Sequence, residues 1–94
     1  GRGRRSVMTL SPHWRVEADA LEADVRLAGF AAVRELVDTL MDLADELDHH
    51  PEVSFGYNRV GVRWTTHDSG GLSDKDWLAA ERTDEVFRRL GAEA

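Results

Sequence analysis

Four histidines and no cysteine delimit the chemistry open to this chain. Without thiols there is no disulfide framework, no zinc ribbon and no thiol nucleophile, so any catalysis falls to His, Asp, Glu, Ser, Thr or Tyr. Three of the histidines stand at the ends of predicted elements: His49 and His50 are adjacent and directly precede Pro51, and His67 follows Thr65-Thr66. Asp76 comes after a Gly70-Gly71 loop. Imidazole titrates near neutral pH and can donate or accept a proton, and a nearby carboxylate orients the ring. His49, His50, His67 and Asp76 therefore form a candidate acid/base group. Plainer readings stand beside it. His49 and His50 can be helix-terminal cations interacting with the macrodipole, His67 an ordinary strand-end residue, and Asp76 a helix cap. Three histidines and an acid also permit a metal site, although adjacent histidines at a helix end rarely converge on one ion. His13 is isolated and reads as structural.

The elements that must position these residues are legible from periodicity. Leu21, Ala23, Val25 and Leu27 alternate with Glu22, Asp24 and Arg26, the pattern of a half-buried strand, with room around Trp14 for a partner strand. From Ala31 the period lengthens. Val33, Leu36, Val37, Leu40, Met41, Ala44 and Leu47 line one face of an amphipathic helix whose other face carries Arg34, Glu35, Asp38, Asp42, Asp45 and Glu46. Pro51 disfavours the helical conformation at His50, so this helix ends near Asp48 or His49. Val53, Phe55 and Tyr57, then Val60, Val62 and Trp64, predict a hairpin turning at Asn58-Arg59. Asp68-Ser69-Gly70-Gly71 reads as a turn. Ser73 with Asp76 three residues on has the spacing of a capping box, opening a helix with Ala79, Ala80, Thr83, Val86, Phe87 and Leu90 inward and Gly91 as its stop. Two hairpins interleaved with two helices predict a two-layer α+β domain, an antiparallel sheet with helices on one face. The other sheet face is expected to be bare and partly apolar, and to be covered by self-association.

The length of 94 residues allows one core. The expected organisation is a flexible tail over residues 1–10 and a single domain over 11–94. Twelve basic side chains face eighteen acidic ones, and Arg2, Arg4 and Arg5 lie in the first five positions, so the remainder is strongly acidic. Phosphate recognition needs a positive face, which argues against nucleic acid as a partner. No apolar run is long enough for a transmembrane helix, and the Arg-rich start lacks the apolar stretch of a signal peptide. The chain reads as cytoplasmic, with no membrane partner. Eleven arginines against one lysine, with abundant Ala and Gly, point to a GC-rich, bacterial-type coding bias.

The string Asp48-His49-His50-Pro51-Glu52, Tyr57-Asn58-Arg59-Val60, Thr65-Thr66-His67-Asp68 and Gly70-Gly71-Leu72-Ser73, ending at Asp76, resembles the signature of the pterin-4a-carbinolamine dehydratases. It runs over twenty-nine residues without a gap, with five residues between Pro51 and Tyr57, nine between Tyr57 and His67, and eight between His67 and Asp76. A weaker upstream likeness takes in Trp14, the strand to Leu27, Phe30 and the long helix.

The resemblance implies a four-stranded antiparallel sheet with helices on one face, assembled as homodimers or homotetramers. It implies dehydration of a 4a-hydroxytetrahydropterin to the quinonoid dihydropterin, which recycles the pterin after aromatic amino acid hydroxylation and links the protein functionally to such a hydroxylase. The pterin is the substrate, and neither cofactor nor metal is required. Residue by residue, His49, His50 and His67 match the family's active-site histidines and Asp76 its motif acid. Asp45 falls where a glutamate is common. Asp45, Pro51, Trp14, Thr65 and Thr66 are the candidate substrate-binding positions. In the family's logic His49 and His67 flank the pterin and act as acids toward its 4a-hydroxyl, His50 orients the ring, and Asp76 holds an imidazole in the useful tautomer. Family members usually carry a helix before the tryptophan. Only thirteen residues precede Trp14, so either that helix is absent or the chain is part of a longer protein. Val25 and Leu27 stand where aromatic residues are common, and Gly29 where an acid is frequent. The fold also has non-enzymatic relatives, including transcriptional coactivators and assembly chaperones. The alternative expectation is thus a catalytically silent module acting through protein contacts, with the acidic helix face from Glu35 to Glu46 as its surface.

Overall fold

A computed structural model of the chain describes residues 10–66 and 71–94. Six elements follow in order: β1 (Trp14–Glu17), β2 (Ala20–Arg26), α1 (Phe30–Leu47), β3 (Glu52–Phe55), β4 (Arg59–Thr65) and α2 (Asp74–Leu90). The strands make one antiparallel sheet in the order β1-β2-β4-β3. The expected α+β architecture, four antiparallel strands with both helices on one face, is the one observed.

Alternation decides which face is which. Leu21, Ala23 and Val25 of β2 pair with Trp64, Val62 and Val60 of β4, and all six point into the helix layer. There they meet Val33, Leu36, Leu40 and Leu43 of α1 and Ala79, Ala80, Val86 and Phe87 of α2. The indole of Trp14 lies flat on Phe87 at 5.7 Å. The buried Trp64 indole N–H donates to Thr83 Oγ1 at 3.2 Å, and the Thr83 hydroxyl donates to the Ala79 carbonyl at 2.7 Å, so neither polar group is orphaned in the core. Burying each of these large side chains contributes roughly 1.5–3 kcal/mol.

Four expectations are corrected. The outer sheet face is charged, not apolar: Arg15 bonds Glu22 and Asp24 at 3.0 and 2.9 Å, and Arg63 bonds Glu22 and Glu52 at 2.9 and 3.5 Å. Alternation put every charge of β2 and β4 on that side, and Arg15 and Arg63 pair the acidic ones Glu22 and Asp24 there. Leu10 is buried in the core and does not belong to a flexible tail. Met41, expected to face inward, is 62% exposed, and Leu43 takes the core position instead. Met41 borders an open recess with Val37 of α1 and Val53 and Phe55 of β3. Finally, β3 ends at Phe55, and Tyr57 is 73% exposed in the turn. The Gly56 N–H already bonds the Arg59 carbonyl, which closes the hairpin before Tyr57 can pair.

Helix ends fix where the functional side chains emerge. Asp48 adopts the left-handed conformation at φ 51°, and the His49 N–H turns back to the Ala44 carbonyl. This stops α1 one residue before the histidines. At the same end of the layer Ser73 and Asp76 form the predicted capping box, and at the other end Gly91, at φ 69°, closes α2.

Candidate active site

Three chain segments meet where α1 ends, β4 ends and α2 begins. His49 Nε2 lies 2.6 Å from Asp76 Oδ1. The His49 ring stacks on Trp64, with centroids 5.6 Å apart and planes 23° apart, so a core aromatic is the floor of the site. Asp76 is buried completely, whereas the His49 side chain keeps 13% exposure. The carboxylate is walled in and the imidazole is the group that meets solvent.

Asp76 is held from every side. Its Oδ2 accepts from the Thr66 hydroxyl at 2.6 Å and from the Ser73 backbone N–H at 3.0 Å. Burial alone pushes this carboxyl upward. The Thr66 and Ser73 donors, together with His49, outweigh it and hold the group below the ordinary carboxylate range. An anionic Asp76 accepts only, so the bond to His49 requires a proton on Nε2. The neutral ring is then the Nε2–H tautomer, with Nδ1 as its acceptor.

The candidate residues distribute over two recesses. His49, His50, Thr65 and Thr66 line one of about 260 Å³ with Asp48, Glu52 and Arg63. Asp45, His50 and Pro51 line the other, about 430 Å³, with Met41, Val53 and Phe55 among its apolar walls. His50 is on the wall between them. His67 lies outside the described residues, as do Asp68, Ser69 and Gly70. One predicted substrate contact is corrected. Trp14 is a core residue whose indole N–H donates to Asp84 Oδ1 at 2.9 Å, so it offers no face to a ligand. Thr65 turns its hydroxyl to the Asp19 carbonyl at 2.7 Å, although it still lines the recess. Among the described residues no cluster of three His, Asp or Glu side chains is placed to hold a metal. Sequence reasoning missed Trp64 and Ser73 as parts of the site. The available signal was parity: Trp64 has the inward phase of Val60 and Val62, and it immediately precedes the Thr-Thr pair.

A family model described as pterin 4 alpha carbinolamine dehydratase matches residues 3–86. The chain belongs to this dehydratase family. A Chromobacterium violaceum protein provisionally named as a pterin-4-alpha-carbinolamine dehydratase is 34% identical over 85 residues, covering 90% of this chain and 79% of its own. A Saccharolobus solfataricus protein with the same provisional name is 48% identical over 62 residues, covering 63% of this chain and 64% of its own. Dehydratase-family sequences like this one thus occur in both bacteria and archaea. Among solved structures, a transcriptional coactivator/pterin dehydratase from Brucella melitensis superposes with a TM-score of 0.80 at 26% identity, over 85% of this chain and 86% of that one. A pterin dehydratase-like protein identified as a RuBisCO assembly factor in the alpha-carboxysome shares the fold, with a TM-score of 0.65 at 20% identity, over 78% of this chain and 84% of that one.

Proposed function

We propose that this chain dehydrates 4a-hydroxytetrahydropterins to the quinonoid dihydropterin, with His49 as a general acid/base. The observation that carries the reading is the 2.6 Å contact between a partly exposed imidazole and a buried, donor-saturated carboxylate at the edge of a polar recess. The reaction breaks the C4a–O bond and forms N5=C4a; one proton goes to the departing hydroxyl, which leaves as water, and one leaves N5. Fixed by Asp76 through Nε2, His49 carries out either transfer at Nδ1: the imidazolium delivers a proton, the neutral ring takes one up. His50 binds and orients the ring from the wall shared by the two recesses, Asp45 and Pro51 contribute the apolar recess, and His67 supplies the acid for the opposite stereoisomer. Pterin is the substrate, and neither cofactor nor metal takes part. Purified protein is expected to accelerate the loss of 4a-hydroxytetrahydropterin absorbance above the buffer rate. No acceleration for either 4a-hydroxyl stereoisomer would sink this reading.

One surface bears on self-association, which the dehydratase reading itself includes. Phe30 stacks on Tyr57, with centroids 6.3 Å apart and planes 9° apart, and Phe55 lies 6.3 Å from Phe30. All three are exposed beside β3, an edge strand of the sheet. An exposed aromatic cluster next to an open strand edge supports a homodimer or homotetramer built through this edge. The acidic face of α1 is the weaker candidate, because Glu35 and Glu46 are engaged by Arg89 and Arg82 at 2.6 and 2.9 Å. Light scattering is expected to give a multiple of the monomer mass that Phe55→Ser with Tyr57→Ser reduces; a monomer at high concentration excludes this edge as an interface.

A further inference from the structure

The hydroxyl of Thr66 is committed within the protein. It donates to Asp76 Oδ2 at 2.6 Å, and the Ser73 hydroxyl lies 2.9 Å behind it, so one chain of hydrogen bonds runs Ser73 to Thr66 to Asp76. A hydroxyl has one proton, and this one points at the carboxylate. The capping box by itself needs only Ser73 and Asp76, both within the start of α2. Thr66 is the contribution from the other side: it follows directly on β4 and ties the carboxylate across to the sheet. The two oxygens of Asp76 are thereby made different. Oδ2 is occupied by Thr66 and the Ser73 N–H, and Oδ1 is left to His49 alone.

We propose that Thr66, backed by Ser73, is a positioning residue that keeps Oδ1 of Asp76 aimed at His49 and so maintains the Nε2–H tautomer on which proton transfer at Nδ1 depends. The inference deepens the dehydratase reading and rests on it for its kinetic consequence. The geometry itself is independent of substrate. Without the Thr66 donor, Oδ2 keeps only Ser73. The carboxylate can then rotate, and it is less firmly anionic in a site where burial already disfavours charge. The imidazole would populate its other tautomer and spend part of its time with Nδ1 protonated and unable to accept. Supporting groups of this kind typically contribute about 10- to 100-fold to activity.

The test compares Thr66→Val, which keeps the shape and removes the donor, with Thr66→Ser, which keeps the donor. Long-range 15N–1H spectra of the His49 ring at neutral pH read the tautomer directly. The wild type and Thr66→Ser are expected to show Nε2–H alone, and Thr66→Val a mixture. Turnover of 4a-hydroxytetrahydropterin by Thr66→Val is expected to lose about 10- to 100-fold in kcat with KM unchanged, and Thr66→Ser to recover most of it. An unchanged tautomer in Thr66→Val, whatever its activity, overturns the assignment. A defect confined to KM overturns it as well, because that marks a substrate contact. If the wild type itself does not turn over the pterin, the dehydratase reading fails while the spectra still decide the positioning role. Thr66→Ala removes the same hydroxyl without filling its space, so failure of the valine variant to fold leaves the comparison intact.

Discussion

Two aspartates on α2, eight residues apart in the chain, do the same chemistry to opposite ends. Asp76 and Asp84 are both buried, and each accepts a hydrogen bond from an aromatic ring nitrogen. Asp84 takes the Trp14 indole at 2.9 Å, the Ser11 backbone N–H at 3.0 Å, the Ser11 hydroxyl at 2.5 Å and the Arg88 guanidinium at 3.0 Å. Asp76 takes His49, Thr66 and Ser73. By burial and bond count the two are alike. What separates them is the ring each one holds. An indole neither gains nor loses a proton in water, and that of Trp14 is packed against Phe87. Imidazole exchanges protons near neutrality, and that of His49 borders a recess. A buried, satisfied carboxylate is therefore no sign of a site until its partner can both titrate and reach solvent. Asp84 fastens the segment from Ser11 to Trp14 to α2; Asp76 orients an imidazole that borders a recess.

This contrast fails if activity and stability do not separate between the two ends. The largest effect is expected from His49→Ala, which should lower kcat for 4a-hydroxytetrahydropterin by about 10²- to 10⁴-fold while the protein stays folded. Trp14→Ala should do the reverse, costing about 3–5 kcal/mol in urea unfolding with turnover per folded molecule preserved. A catalytic defect in the folded fraction of Trp14→Ala would restore it as a site residue. Asp84→Ala comes next. It leaves a buried indole N–H without an acceptor and should cost about 1–3 kcal/mol, again without loss of specific activity.

Acid unfolding sharpens the comparison from the side of Asp76. Burial acts to raise its carboxyl, and the donors from Thr66, Ser73 and His49 more than reverse this, so its folded-state value lies below that of the unfolded chain. A depressed carboxylate contributes stability that is fully present above its unfolded value, about pH 4, and is lost as pH falls through the folded value. Asp76→Asn should therefore be less stable than the wild type near neutrality, with the two approaching each other as the pH drops below about 4. Urea midpoints measured across that range check it. A constant gap between the two proteins at all pH values would mean that Asp76 is not held in its charged form by these donors.

The fold was legible because local signals agreed with one another: period-2 alternation in β2, the longer period of α1, the Ser73/Asp76 cap and the Gly91 stop. Errors came where a pattern does not record what lies opposite. Met41 has the right phase for a core position, but it borders an open recess beside Val53 and Phe55. The outer face was misjudged because alternation identifies charged positions without showing that Arg15 and Arg63 are placed to pair them. At the site, the residue types that could do acid/base work were visible. The hydrogen-bond assignments were not, because Thr66 can donate to a ligand or to Asp76 with the same hydroxyl and only three-dimensional distance decides. Trp14 was misplaced for the same reason: an aromatic residue in a family likeness carries no mark of whether it faces a ligand or the core.

The smallest effect concerns backbone conformation, where the same division between scaffold and site recurs. Among the described residues, the non-glycine positions with positive φ are Ala18 at 55° and Asp48 at 51°. Asp48 ends α1 and directs His49 and His50 out of the helix, and aspartate tolerates the left-handed region through its short polar side chain. Ala18 turns β1 into β2 and has no such compensation. An alanine there costs about 1–2 kcal/mol. A glycine avoids that cost but loses about 0.5–1 kcal/mol more chain entropy on folding. The balance favours Ala18→Gly by roughly 0.5–1 kcal/mol, with kcat unchanged because no residue of the turn lines the recess around His49. Asp48→Gly should gain less, since less strain is present to relieve. Thermal unfolding of the two variants side by side measures the difference. Should Asp48→Gly prove the more stabilising of the pair, the strain would lie at the site instead of in the scaffold.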